Sequence, residues 1–183
     1  GEVAVFATGL TPYILDIKSV ADADEVRVTT LVIAVIFLIV AILVRDVFLA
    51  IVMIAATLLV FFVTLGVTEW FFVAVMGEQG IDWKVKLFAF VILVAVGQDY
   101  NIFLVTRILQ ENKSHELPLA VEKAIASTGG VISSCGAIMA ATLGSLAATG
   151  LPFFQELGMA FALGVLVDTF LVRPILVPAA LLV

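Results

Sequence analysis

Five long apolar segments, each able to cross a lipid bilayer as a helix, constrain this 183-residue chain more than any other feature. At about 1.5 Å of rise per residue, roughly 20 apolar residues span the hydrocarbon core. Hydrophobic residues make up 63% of the chain and charged residues 13%, about half the charged share of a soluble domain. The chain is therefore predicted to be an all-α membrane protein, a five-helix transmembrane bundle within residues 26–183. The predicted spans are 26–44, 47–75, 84–108, 125–149 and 153–172, the last ending at Arg173-Pro174.

Residues 1–25 differ from the rest. Residues 3–6 (Val-Ala-Val-Phe) predict a short strand, and Thr11-Pro12 predicts the first turn of a helix that ends near Asp24. A strand followed by a helix is typical of a soluble domain, so we expect residues 1–25 to be the C-terminal tail of one. Because the chain opens with Gly1 and no signal pattern, we also expect it to be a piece of a longer protein.

The third span carries the run Gln98-Asp99-Tyr100-Asn101 near its centre. A carboxylate at that depth costs roughly 2.5–3.5 kcal/mol, and an ionisable residue inside a membrane favours a functional site. At about 100° per residue these four side chains occupy most of the helix circumference, so the helix must be enclosed by protein or face a hydrated cavity. The Tyr100 hydroxyl and Asn101 amide can hydrogen-bond either protonation state of a carboxyl group. Asp99 is therefore predicted to exchange protons; a structural hydrogen-bonding role between helices is the alternative.

The fourth span carries small residues every four positions. This spacing lets helix backbones approach closely. The packing residues are Gly136, Ala140, Gly144 and Ala148. We expect this surface to help to surround Asp99 with protein.

Asp168 is the second acid within an apolar span. Arg173 follows five residues later, about 140° around a regular helix, so an ion pair within the helix is not expected. A functional role and a structural role at the membrane interface are both open for Asp168. Glu156 is expected to lie at the interface.

Several classes of function are not favoured. The net charge of −6 argues against binding nucleic acid or an anionic membrane surface. The sequence contains no nucleophile–base pair or cluster of metal-ligating residues, and His115 lies in a polar loop. We therefore expect neither an enzyme nor a bound cofactor or metal. With Cys135 as the single cysteine, an intrachain disulfide is impossible.

The run from Gly97 to Leu104 (GQDYNIFL), followed by Arg107, resembles the Asp-Tyr signature of the MMPL family within the resistance–nodulation–division superfamily. Residues 127–132 and 164–173 are similar to later segments of that family. The resemblance implies the last five helices of a twelve-helix transporter, preceded by the end of its second periplasmic domain. It also implies that Asp99 and Tyr100 form one half of a proton relay, whose other half lies in a pseudo-symmetric N-terminal half. Gln98 stands where the family usually has an aliphatic residue.

We expect the chain to be the C-terminal transmembrane half of an exporter, driven by the proton-motive force, of lipids or other hydrophobic molecules. Its expected partners are membrane lipids, a hydrophobic substrate, protons and the missing N-terminal half, with oligomerisation possible. Gln98, Asn101 and Asp168 are candidate members or supports of the relay. The expected location is the bacterial inner membrane, with the N-terminal region periplasmic and the C-terminus cytoplasmic, as a small excess of basic residues on the C-terminal side favours. The alternatives are a lipid- or sterol-sensing or scaffold bundle that does not transport, and a protein-export motor of the same superfamily.

Overall fold

A computed structural model describes the backbone of residues 10–182 and the side chains of residues 17, 20 and 24–179. Every regular element in this part of the chain is helical. The elements are α1 (Leu10–Val44), α2 (Val47–Ala74), α3 (Trp83–Glu111), α4 (Leu117–Gly144), a 3₁₀ turn (Ser145–Ala148), α5 (Pro152–Val167), a π-helical segment (Asp168–Leu176) and α6 (Val177–Leu182). Five stretches are long and apolar enough to cross a membrane, which confirms the prediction of a five-helix bundle. They are Asp24–Val44, Val47–Ala74, Trp83–Glu111, Leu117–Ala148 and Pro152–Ala179.

The first helix differs from the predicted tail. The expected strand over residues 3–6 lies outside the described residues. The expected helix end near Asp24 is wrong, because α1 continues through Asp24 to Val44. Charged residues end an apolar span without ending a helix. Asp24 and Arg27 are examples within α1, and their side chains approach each other to 3.6 Å. A helix usually ends where glycine or proline interrupts it, and α1 has neither after Pro12 in its first turn.

The last two spans are also longer than predicted. α4 begins at Leu117, with Pro118 in its first turn, so the polar residues before position 125 continue the same helix. Arg173-Pro174 does not end the fifth span, because the π-helical segment carries the chain past Pro174 into α6. The wider turns of a π-helix bond residues five apart, and this irregular segment accommodates the proline.

The interior of the bundle consists of two apolar regions separated by polar residues. One region lies toward the loop over residues 112–116 and includes Met53, Leu104, Ile108 and Val177. The other lies toward the loop over residues 75–82 and includes Phe61, Phe90, Leu93 and Phe161. Between them α2, α3 and the π-helical segment contribute six buried polar residues, which we call the polar layer. They are Thr57, Gln98, Asn101, Asp168, Thr169 and Arg173.

Candidate functional site

The polar layer is held together by amide and hydroxyl groups of α2 and α3. Gln98 Nε2 donates a hydrogen bond to Thr57 Oγ1 at 2.8 Å, and Asn101 Nδ2 donates to the same oxygen at 3.4 Å. The Thr57 hydroxyl in turn donates to the carbonyl of Met53, one turn earlier in α2, at 3.1 Å. None of the six residues of the layer is more than 4% exposed. The two helices are therefore joined by hydrogen bonds at mid-span, where lipid offers no polar alternative.

Asp168 and Arg173 form a buried ion pair within the layer, with Arg173 Nη2 in direct contact with Asp168 Oδ2. The expectation that the two residues point apart is wrong. It assumed a regular α-helix, whereas residues five apart share a face when the hydrogen bonds run from i to i+5. Asp168 is thus buried in the bundle, not exposed at the end of its span.

Tyr100 connects this ion pair to the other side of α3. The Arg173 guanidinium carbon lies 4.4 Å from the centre of the Tyr100 ring, a cation–π contact. The Tyr100 hydroxyl lies 3.3 Å from the sulfur of Met139 on α4. Tyr100 therefore contacts both the π-helical segment and α4.

Asp99 points away from the polar layer and is exposed on the outside of the five-helix bundle. It lines a groove of ≈ 430 Å³ together with Tyr100, Phe103, Val131 and Met139, among others. α4 forms one wall of this groove but does not enclose Asp99 as expected. α3 therefore presents polar side chains on two faces, with Asp99 outside and Gln98 and Asn101 inside.

The structure thus divides the predicted site residues between two places. Three of them, Gln98, Asn101 and Asp168, are buried in the polar layer. Asp99 lies in the outer groove, and Tyr100 lies between the two places. Sequence reasoning missed three members of the layer. The five-residue spacing from Asp168 was a signal for Arg173, but only for a π-helix; Thr57 and Thr169 carried no signal beyond a hydroxyl in an apolar segment.

Glu156 lies elsewhere, near the end of the bundle that carries the loop over residues 75–82. It is buried, and its carboxylate accepts a hydrogen bond of 2.7 Å from the backbone N–H of Asp82. It therefore fixes this loop to α5 from a buried position at the end of the bundle, and its depth relative to the lipid interface stays a prediction.

The small residues of α4 lie at different distances from α5 and the π-helical segment. Gly136 is in such close contact with Thr169 that an added Cβ would lie 2.6 Å from its Cγ2. An added Cβ at Gly144 would lie 3.0 Å from the Cβ of Ala162. Ala140 is buried, while Ala148 is exposed in the 3₁₀ turn. Close approach of the backbones therefore extends over the first three of the four predicted positions.

Comparison with known proteins gives a consistent set of relatives. The model of the MMPL family matches residues 1–183. The chain is 40% identical over 178 residues to the membrane protein SCO5905 of Streptomyces coelicolor, covering 97% of the chain and 21% of that protein. It is 37% identical over 171 residues to the apo-petrobactin exporter of Bacillus anthracis, covering 93% of the chain and 23% of that protein. It is 32% identical over 178 residues to a protein of Mycobacterium tuberculosis named as a probable transport protein, MmpL12, covering 97% of the chain and 15% of that protein.

Proposed function

Because this chain belongs to the MMPL family of membrane proteins, we propose that it is the C-terminal transmembrane half of an exporter driven by the proton-motive force. Its substrate is a lipid or another hydrophobic molecule, and the chain itself catalyses no chemical reaction. It lies in the bacterial inner membrane with its N-terminal region periplasmic and its C-terminus cytoplasmic. The names of the relatives, which include an exporter and a transport protein, support this proposal. The chain spans only 15 to 23% of the three relatives compared, so the activity belongs to a longer protein.

The exposure of Asp99 is the observation that carries the proposal. A carboxylate at mid-span that faces lipid costs several kcal/mol, so the groove around it needs a cover of protein or water. The five helices leave the groove open. The missing N-terminal half of the same protein is the natural cover, and in a transporter it brings the second half of the proton relay to the groove.

Proton uptake at Asp99 would act through the contacts of its helix. A proton removes the negative charge on Asp99, and this changes the surroundings that α3 prefers in the groove. α3 is tied to α2 by the Gln98–Thr57 hydrogen bond and to the π-helical segment by the contact of Tyr100 with Arg173. A shift of α3 therefore moves α2 and the π-helical segment as well. In this way a change of charge at Asp99 would move the bundle.

The test is Asp99→Asn in the full-length protein, with Glu122→Gln as a matched control. Asparagine keeps the shape of aspartate but removes the titrating proton, so we expect proton-coupled export to stop while expression and melting temperature stay nearly unchanged. Glu122 is an exposed carboxylate near the start of α4, and its loss should leave export intact. Transport by Asp99→Asn at the wild-type rate, with the proton gradient still required, would show that the relay is elsewhere.

Tyr100→Phe separates the two roles of Tyr100. Phenylalanine keeps the ring that contacts Arg173 but loses the hydroxyl group. We expect a partial loss of export, because water can replace a hydroxyl group in a hydrated path. Complete loss together with a lower melting temperature would instead assign Tyr100 a structural role.

A further inference from the structure

The polar layer contains both acceptors and donors that have no partner among the described residues. The acceptors are Gln98 Oε1, Asn101 Oδ1 and Asp168 Oδ1; the donors are Arg173 Nε and Nη1; the Thr169 hydroxyl can do either. A buried polar group without a partner costs about 1–3 kcal/mol, and a charged one costs more. Six such atoms in one layer therefore indicate that something else occupies the space between the helices.

The mixture of groups identifies the occupant. A cation would satisfy the three oxygens but would be repelled by Arg173. An anion would satisfy Arg173 but would be repelled by Asp168. Water accepts from Arg173 and donates to the oxygens at the same time. We propose that the polar layer binds a cluster of ordered water molecules, and that a water-filled cavity connects Asp168–Arg173 with the side of the bundle that carries the loop over residues 112–116.

A cavity of the right size adjoins the layer. It has a volume of ≈ 190 Å³, room for about six water molecules at about 30 Å³ each, and lies between α3, α4 and the π-helical segment. Arg173 and Thr169 line it, and each has polar atoms without a partner. Thr128 and Ser133 on α4 add hydroxyl groups to its wall. Pro174 also lines it, and because proline has no N–H, a carbonyl one turn earlier loses its helical donor.

The cavity continues toward the loop over residues 112–116. A neighbouring groove of ≈ 420 Å³ shares Thr128 with it and is lined by Arg107, Gln110 and Ser127 near that end of the bundle. Polar groups thus run from the end of α3 to mid-span along α4. The outer part of this route lies on the same face of α3 as the groove of Asp99, because Phe103 lines both grooves. The inner end of the route approaches the groove of Asp99 where Arg173 contacts Tyr100. A role of this route in carrying protons would rest on the proposed function, whereas the hydration of the cavity does not.

The first test measures whether the cavity contains water. In the full-length protein with Cys135→Ala, Ser133→Cys is treated in membranes with the small water-soluble thiol reagent methanethiosulfonate ethylammonium. The thiolate, which forms only in contact with water, attacks the reagent, forms a mixed disulfide with its aminoethylthio group and releases methanesulfinate. Leu59→Cys is the control, because Leu59 lies near the middle of α2 and is 50% exposed on the apolar outside of the bundle. We expect Ser133→Cys to react and Leu59→Cys to remain unmodified; equal reaction rates would overturn the proposal.

The second test fills the cavity. Gly129 lines it, and no atom lies within 4 Å of an added Cβ there, so Gly129→Leu can extend into the space. Gly130→Leu is the matched control, because Gly130 is exposed, does not line the cavity and also has no atom within 4 Å of an added Cβ. Gly129→Leu should slow the modification of Ser133→Cys by about tenfold or more, because the thiol loses water, and Gly130→Leu should not. Equal slowing by both variants, or by neither, would refute the water-filled cavity.

Two further variants keep the test decisive. If Ser133→Cys fails to fold, Thr128→Cys reports on the same cavity from five residues earlier in α4. If Gly129→Leu fails to fold, Gly129→Met provides a more flexible side chain of similar volume.

Thiol labelling does not depend on transport. A dry cavity in a protein whose export still requires Asp99 would therefore overturn this inference alone, and a hydrated cavity with export independent of Asp99 would overturn only the proposed function.

Discussion

Replacing Gly158 by alanine should destabilise the protein, although alanine is the better helix former. Gly158 lies in α5 against the 3₁₀ turn that follows α4. An added Cβ would lie 2.9 Å from the carbonyl carbon and from the Cβ of Leu146, and closer still to the backbone nitrogen of Ala147. The backbone of a turn cannot rotate aside as the end of a side chain can. Overpacking of this kind costs about 1–3 kcal/mol, and with contacts this short we expect about 2–3 kcal/mol. Alanine recovers at most about 1 kcal/mol through helix propensity, so the net loss is about 1–2 kcal/mol.

Two other glycines provide the controls. No atom lies within 4 Å of an added Cβ at Gly66 in α2, so Gly66→Ala should stabilise by up to about 1 kcal/mol. At Gly164 the nearest atoms, 2.6 and 2.8 Å away, are the ends of the flexible Leu93 side chain, so Gly164→Ala should be intermediate. Free energies of unfolding, measured by denaturant titration of the full-length protein in mixed micelles, should rank Gly66→Ala above Gly164→Ala and Gly158→Ala last. A Gly158→Ala variant as stable as Gly66→Ala would refute the close backbone contact.

Two other predictions concern the span count and the buried ion pair. Cysteines introduced at Gly80 and Ser114 in a Cys135→Ala background should be labelled from opposite faces of intact membranes, because α3 separates the two loops; labelling from one face would mean that α3 does not cross. Arg173→Met should lower the free energy of unfolding by about 3–5 kcal/mol, because it leaves Asp168 buried without its partner. The double variant Asp168→Leu, Arg173→Met should be more stable than Arg173→Met alone, because it removes the unpaired charge as well. Denaturant titration in micelles compares these variants, and a double variant less stable than the single one would contradict the pairing.

Hydropathy was sufficient to predict the number of membrane helices. Each of the five segments is long and apolar, and in a bilayer only a helix satisfies the backbone of such a segment. Hydropathy was a poorer guide to where the helices begin and end. Polar residues mark where a span leaves the apolar core of the membrane, but they do not interrupt a helix. α1 continues through Asp24, and α4 includes the polar residues between Leu117 and position 125.

The arrangement of the polar residues was predicted only in part. Four consecutive polar residues in α3 indicated that the helix needs polar neighbours, but not that Asp99 would lie outside the bundle while Gln98 and Asn101 lie inside. Helical geometry gives the angles between side chains, whereas the packing of the other helices decides which face is buried. The pairing of Asp168 with Arg173 escaped prediction for a different reason. A local change from α to π turns alters which residues share a face, and the sequence carries no strong signal of that change.

The hydrogen bond from Gln98 to Thr57 has a consequence for the order in which the chain enters the membrane during synthesis. α2 is the more apolar of the two helices and can leave the translocation channel for lipid unaided, whereas α3 carries the polar residues 98–101. The ribosome completes α2 first, so the Thr57 oxygen already stands at mid-membrane when the amides of Gln98 and Asn101 emerge. α2 thus provides a hydrogen-bond acceptor within the membrane for the amide groups of α3. The pair formed by Asp168 and Arg173 needs no such help, because both charges leave the ribosome within a single helical segment and neutralise each other there.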